Sequence, residues 1–168
     1  MANYVLSCCS TADLSKEHFQ SRDIHYVCFH YAMNGKEYLD DLGESMSFED
    51  FYKAMADGAD TRTSQVNISE YVEFFSKFLE QGLDVVHVCL SSGISGTINS
   101  ARNAALVVKE RFPERNVYIV DSLGASSGYG LLMDTPPLSA TRVSAPRNSC
   151  SGLRKTSSSS TTGSSPPT

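Results

Sequence analysis

The stretch "HVCLSSGISGTINSARNAA", residues 87–105, begins as an apolar strand, breaks into Ser, Gly and Thr, and resumes as a helix. Strand, small polar turn and helix in that order form the repeating unit of α/β folds. The strand starts a little earlier, in "VVHVCL" at residues 85–90. That run is apolar almost throughout and follows Gly82, a pattern suited to a central strand of a parallel sheet, buried on both faces.

The same alternation extends both ways from this unit. Residues 4–8 and 117–120 predict short apolar strands, and residues 23–31, "DIHYVCFHY", predict one longer β-branched and aromatic strand. Asn34-Gly35 is a tight hairpin signal. Ser15 caps a helix over residues 15–22, and Ser47 caps the next, with Asp50 three residues on. Behind Ser47, Phe48, Phe51, Tyr52 and Met55 fall on one helical stripe, read as buried. Asn67 with Glu70 caps a third helix whose stripe is Tyr71, Phe74, Phe75, Phe78 and Leu79, and Gly82 ends it. Helices follow over residues 97–111 and 125–133. The order β-α-β-α-α-β-α-β-α predicts an α/β class: an open, mainly parallel sheet with helices on both faces. Both aromatic stripes are read as core rather than as a ligand surface.

Open α/β sheets bind ligands beyond the carboxyl ends of their strands. Residues 91–97 lie at such an end, where a helix start presents unpaired N–H groups and the positive end of its dipole. Gly93 and Gly96 allow close approach to the backbone, and Ser91, Ser92, Ser95 and Thr97 add hydroxyls. The combination suits a carboxylate or phosphate; the alternative is that Ser95 or Thr97 merely caps the helix. No Lys follows the glycines as in a nucleotide loop, and the dinucleotide glycine spacing is missing. Gly93-Ile94-Ser95-Gly96 is one residue short of the hydrolase elbow G-x-S-x-G, and no His follows His87. "DTRTSQVN", residues 60–67, is a second hydroxyl-rich turn ahead of a helix.

Composition narrows the function class. The 168 residues carry a net charge of −5 and no Lys/Arg block, which argues against nucleic acid. No apolar run approaches the roughly 20 residues of a membrane helix, and no signal-peptide pattern opens the chain, so a cytoplasmic location is expected. Five cysteines, Cys8, Cys9, Cys28, Cys89 and Cys150, fit neither a metal nor a redox spacing and read as reduced, with Cys8, Cys28 and Cys89 in apolar surroundings. Residues 135–168 change character: 16 Ser or Thr, five of the six prolines, four basic residues and no acidic one. A domain boundary is therefore expected after Asp134, with a disordered Ser/Thr/Pro-rich tail beyond it.

Four segments taken together, "STADLS" (10–15), "TSQ" (63–65), "LSSGISGTINSA" (90–101) and "VYIVDSLGASSGYG" (117–130), resemble the DegV family of bacterial fatty-acid-binding proteins. The resemblance covers residues 1–134 and implies that they are the first lobe of a two-lobed protein. It implies a long-chain fatty acid held between lobes, its carboxylate bonded by Thr63 or Ser64 and by Ser92 or Ser95, with Gly93, Gly96 and Thr97 as the supporting loop. It implies no catalysis, cofactor or metal, and presentation of the acid to a separate fatty acid kinase. Cys9 stands where the family usually has Asp, and Val66 where it usually has Pro; both leave the fold intact and bear on the entrance. The family continues after "LLMD" with a second lobe that this sequence lacks. The tail reads either as an out-of-frame translation or as a natural linker. Two further readings remain: a small α/β hydrolase or transferase with Ser95 as nucleophile, and an inert truncated product.

Overall fold

A computed structural model describes residues 3–134. The tail and the boundary expected after Asp134 lie outside the described residues. The elements in chain order are β1 (Tyr4–Cys9), α1 (Lys16–Ser21), β2 (Ile24–Val27), β3 (His30–Met33), β4 (Lys36–Leu39), α2 (Phe48–Ala56), β5 (Thr61–Ser64), α3 (Ile68–Leu79), β6 (Asp84–Cys89), α4 (Thr97–Arg111), β7 (Val117–Asp121) and α5 (Ser126–Asp134). A short 3-10 turn, Ser10–Ala12, follows β1.

Four strands form a parallel sheet in the order β2-β1-β6-β7, so the apolar run around Val85 is an interior strand. Burial along β6 alternates rather than being continuous: Val85, His87 and Cys89 are sealed, while Val86 and Val88 are half-buried. The reason is unequal cover. On the first face α3 and α4 pack closely, with Tyr71 and Phe75 against the His87 ring and Ala101, Ala104 and Val108 fully buried. On the second face α1 covers the β2 side, Phe19 resting on Tyr26. The β7 side of that face stays open, leaving Tyr118 and Val120 exposed. α5 packs on the turn after β1; a Cβ on Gly130 would stand 2.5 Å from the Ala12 carbonyl oxygen, so only glycine fits there.

The single strand expected over residues 23–31 is two strands in two sheets. The chain leaves the parallel sheet at Cys28 and Phe29, where the Phe29 amide donates to Ser10 Oγ at 3.0 Å and its carbonyl accepts from the Asp40 amide at 2.8 Å. β3 then pairs antiparallel with β4 and β5 in a small second sheet. Asn34 and Gly35, at φ 52° and 80°, make the expected hairpin turn between β3 and β4. Local β signals cannot report a change of sheet, because both halves are equally β-prone.

The three caps form as read: Ser15 accepts from the His18 amide, Ser47 from the Asp50 amide, and Asn67 with Glu70 makes a reciprocal capping box. The α3 stripe is core, with Tyr71, Phe75, Phe78 and Leu79 buried. The α2 stripe is not. No residue of α2 is buried, and Phe48 and Tyr52 are 59% and 66% exposed. Helical periodicity reveals an apolar face but not what covers it. Among the described residues only Phe51 meets a partner ring outside the helix, edge-on to Tyr31 at 5.2 Å.

Candidate functional site

The face of α2 left uncovered by the core borders a cleft. The cleft, of about 240 Å³, lies between α2 and the small sheet. Phe29, Tyr31, Leu39, Met46, Phe48, Phe51 and Tyr52 give it apolar walls. Thr11, Thr63, His30, Asp13, Asp40 and Asp41 give it polar ones. Thr63 reaches it because "TRTS", expected as a loop, is strand β5, with Thr63 registered opposite Tyr31 and Ser64 opposite His30. A four-residue polar strand at a sheet edge carries no hydrophobic alternation, so periodicity misses it. A larger groove of about 600 Å³ opens at the β2 edge between α1 and α3 and includes none of the predicted site residues.

Of the four hydroxyls expected around the ligand head, Thr63 lines the cleft; Ser64, Ser92 and Ser95 are not among its walls. The two hydroxyl turns nevertheless meet. Gln65 Oε1 lies 3.1 Å from where a Cβ on Gly96 would stand. The bare backbone of Gly96 thus accommodates the Gln65 side chain, next in sequence to Ser64, rather than a ligand. Asn67, after Val66, takes Glu70 into its capping box, and Glu70 Oε1 also lies 3.0 Å from His30 Nε2.

The serine turn divides its hydroxyls between structure and surface. Ser91 is buried and its Oγ accepts from the Gly93 amide at 3.2 Å. Ser92 is exposed; its amide donates to Asp121 Oδ1 at 3.1 Å. Hydrogen bonds from the Ser92 side chain and the Leu123 backbone hold the Asp121 carboxyl below its usual range. Ser95 is half-buried, and its Oγ accepts from the Thr97 amide at 3.2 Å. Thr97, expected to offer a hydroxyl, is fully buried, with Oγ1 3.0 Å from Tyr71 Oη. The alternative that Ser95 or Thr97 caps α4 is not realised: the N-cap is Gly96 with no side-chain cap bond, and Ser95 takes the Thr97 amide within the turn.

Beneath the turn lies a buried polar chain. Ser7 Oγ is 3.0 Å from His87 Nδ1, His87 Nε2 is 3.8 Å from Cys9 Sγ, and Cys9 Sγ is 3.2 Å from Tyr71 Oη. The Cys9 amide donates to Tyr129 Oη at 3.0 Å, and that hydroxyl donates to the Val88 carbonyl. Burial drives the His87 pKa down to about 3 and pushes the Cys9 thiol up to about 11. Cys9 and Val66, expected to bear on the entrance, are both fully buried and so shape the core instead. Cys8, Cys9, Cys28 and Cys89 are free thiols; Cys150 lies outside the described residues.

Sequence reading missed three contributors. Thr11 borders the cleft with a buried hydroxyl that has no partner among the described residues. Gln65 joins the two turns. Asp40, raised in pKa by burial, accepts from Ser10 Oγ at 2.7 Å on the cleft's acidic side. The motifs "STADLS" and "TSQ" contained two of these residues, but contact across the fold could not be read from either. Among the described residues no cluster of three His, Cys, Asp or Glu could hold a metal ion, and no helix is long and apolar enough to cross a membrane.

Residues 9–135 match the family model described as an uncharacterised protein of the DegV family. A DegV domain-containing protein of Clostridium perfringens is 33% identical over 133 residues, covering 79% of this chain and 46% of its own. A DegV domain-containing 15.5 kDa protein of Staphylococcus aureus is 31% identical over 130 residues, 77% of this chain and 88% of its own. The fold is similar to the crystal structure of a stearic acid-binding protein from Eubacterium ventriosum, with a TM-score of 0.72 and 31% identity over 78% of this chain and 45% of that one. Apart from the 15.5 kDa protein, the chain spans about half the length of these relatives.

Proposed function

The chain belongs to the DegV family, and from that premise we propose that it binds a long-chain fatty acid, with its acyl chain along the α2 cleft. The observation that carries the proposal is the aromatic face of α2: an apolar wall whose Phe48 and Tyr52 stay exposed, facing a cleft that also contains Thr63. Stearic acid binding by the Eubacterium ventriosum protein supplies the ligand class.

The head group belongs on the hydroxyl side. Asp13, Asp40 and Asp41 on the other side of the cleft would repel a carboxylate. Thr63 or Ser64 supplies one bond. Ser95 is the better second donor than Ser92, because the Ser92 side chain is already drawn to a carboxylate, that of Asp121. The Thr97 amide occupies a lone pair of Ser95 Oγ, which leaves the hydroxyl proton for the ligand. This is a binding role in the cytoplasm, with no catalysis by the chain itself. A hydrolase with Ser95 as nucleophile would need a base beside it, and the imidazole of His87 is held in the core by Ser7 and Cys9.

The finer part of the proposal is delivery to a separate fatty acid kinase, which would move the γ-phosphoryl of ATP to the carboxylate and release ADP. Hydroxylamine trapping of the acyl phosphate would register it.

The direct test is stearate titration of the delipidated protein by calorimetry. Ser95→Ala and Thr63→Ala should each weaken binding by roughly 1–3 kcal/mol, the worth of a bond to a charged group. Absence of binding, or unchanged affinity in both variants, overturns the assignment.

A further inference from the structure

The buried polar chain ends at Thr97, one bond from Ser95. Thr97 is held on two sides: its side-chain Oγ1 meets Tyr71 Oη at 3.0 Å, and its own amide donates to Ser95 Oγ at 3.2 Å. Tyr71 is fixed in turn by the Cys9 thiol at 3.2 Å and by its ring contacts with Phe75 and His87. These residues come from β1, α3, β6 and α4, so four elements meet at Tyr71, and only the Thr97 amide passes from there to the serine turn.

We propose that Tyr71 and Thr97 are positioning residues for the carboxylate site: the Tyr71 hydroxyl fixes Thr97, and the Thr97 amide fixes the Ser95 hydroxyl with its proton turned outward. The inference rests on the functional reading above, and deepens it. Neither residue touches the ligand. Tyr71 and Thr97 are both fully buried, so a direct contact is excluded by geometry. Their effect travels through the turn. A Thr97 freed from Tyr71 can change rotamer, shift the start of α4 and carry its amide away from Ser95. The Ser95 proton then has a choice of acceptors, and the pre-set orientation toward an anion is lost.

The chemistry separates positioning from packing. Thr97→Val keeps the volume and removes the hydroxyl. Thr97→Ser keeps the hydroxyl and removes a methyl group. Tyr71→Phe keeps the ring and removes the phenol. The three variants are compared with the parent 168-residue chain by three readouts: stearate affinity, thermal midpoint, and amide chemical shifts of Ser95 and Gly96 without ligand. Thr97→Val and Tyr71→Phe should each weaken stearate binding about fivefold, equivalent to one ordinary hydrogen bond. Both should move the Ser95 and Gly96 amide signals. Thr97→Ser should retain affinity within about twofold and leave those signals in place, although loss of a buried methyl lowers its thermal midpoint. Combining Tyr71→Phe with Thr97→Val should weaken binding no further than either alone, because both cut the same chain.

The proposal is overturned if the amide signals of Ser95 and Gly96 stay unmoved in Thr97→Val and Tyr71→Phe. It is equally overturned if affinity simply follows the thermal midpoint through all three variants. Should the parent chain bind no stearate, the functional reading fails on its own, and the ligand-free amide shifts still decide whether Tyr71 and Thr97 set the turn.

Discussion

Three aromatic rings, Tyr71, Phe74 and Phe75, surround the imidazole of His87 and exclude water from it. The burial that lowers its pKa to about 3 ties stability to pH. An unfolded chain takes up a proton at this residue near pH 6.5, whereas the folded chain does not until about pH 3. Unfolding is therefore favoured as pH falls through that window, and stability from this group is fully present only above about pH 6.5. Between pH 6.5 and 4.5 the loss should be about 2 kcal/mol. His87→Gln, which keeps a polar partner for Ser7, should flatten this slope in urea melts. An unchanged slope would assign the acid sensitivity to other groups. The residue's role was not legible beforehand: within "VVHVCL" a histidine among apolar neighbours gives no sign of which side chain it will meet. The hydroxyl turn at residues 91–97 was legible as a feature, yet the division of its hydroxyls was not. Thr97, the first residue of α4, is buried against Tyr71, whereas Ser95 sits in the turn before the helix and is half-buried; a motif does not say where the turn ends and the helix begins.

At the scale of elements, caps were readable and partners were not. Ser15, Ser47 and Asn67 act on amides three residues away, so their function is contained in local sequence. Asn67→Ala should lower stability by about 1 kcal/mol in thermal or chemical melts, while Asn67→Ser should retain most of it. A neutral Asn67→Ala would mean that tertiary packing alone holds α3. By contrast, matching periodicity in α2 and α3 leads to different fates, because the parallel sheet buries the α3 stripe, whereas the small sheet meets α2 through Phe51 on Tyr31 and leaves Phe48 and Tyr52 exposed. Hydrogen exchange should report the difference directly. Amides of β6 and β1, interior to the sheet, should be among the slowest, and those of α2 should exchange early. Stearate should then slow exchange in α2 selectively, if its aromatic face is the acyl wall. Slow exchange in α2 without ligand would mean that its stripe is covered in solution.

For the whole molecule, uncovered apolar surface is the governing feature. Tyr118 and Val120 lie exposed on one sheet face, and Leu132 of α5 is also exposed. Patches of this kind drive association when they are contiguous. Sedimentation should show self-association that rises with concentration, and Val120→Thr combined with Leu132→Lys should reduce it. A monomer at all concentrations would show that the patch is too small to matter. Openness also limits affinity. The cleft's 240 Å³ falls below the roughly 300–1,000 Å³ of complete small-molecule pockets. Each methylene left in water forfeits about 0.8 kcal/mol, so two uncovered methylenes lower affinity about tenfold. These 168 residues should therefore bind stearate at least that much more weakly than the Eubacterium ventriosum protein; equal affinity would show that the cleft suffices as it stands.

The pairing of β1 with β6 joins residues far apart in the chain, Ser7 standing beside His87. On a ribosome adding about 5–20 residues per second, β1 waits roughly 4–16 s for the strand that completes its sheet. Its other neighbour, β2, arrives within the next twenty residues, but two parallel strands alone bury too little to persist. Throughout that interval Cys8 and Cys9 are exposed to the oxidants and chaperones of the cell. Among the described residues, two of the three thiols fully sealed in the finished protein are thus the first to be synthesised and wait longest for their cover.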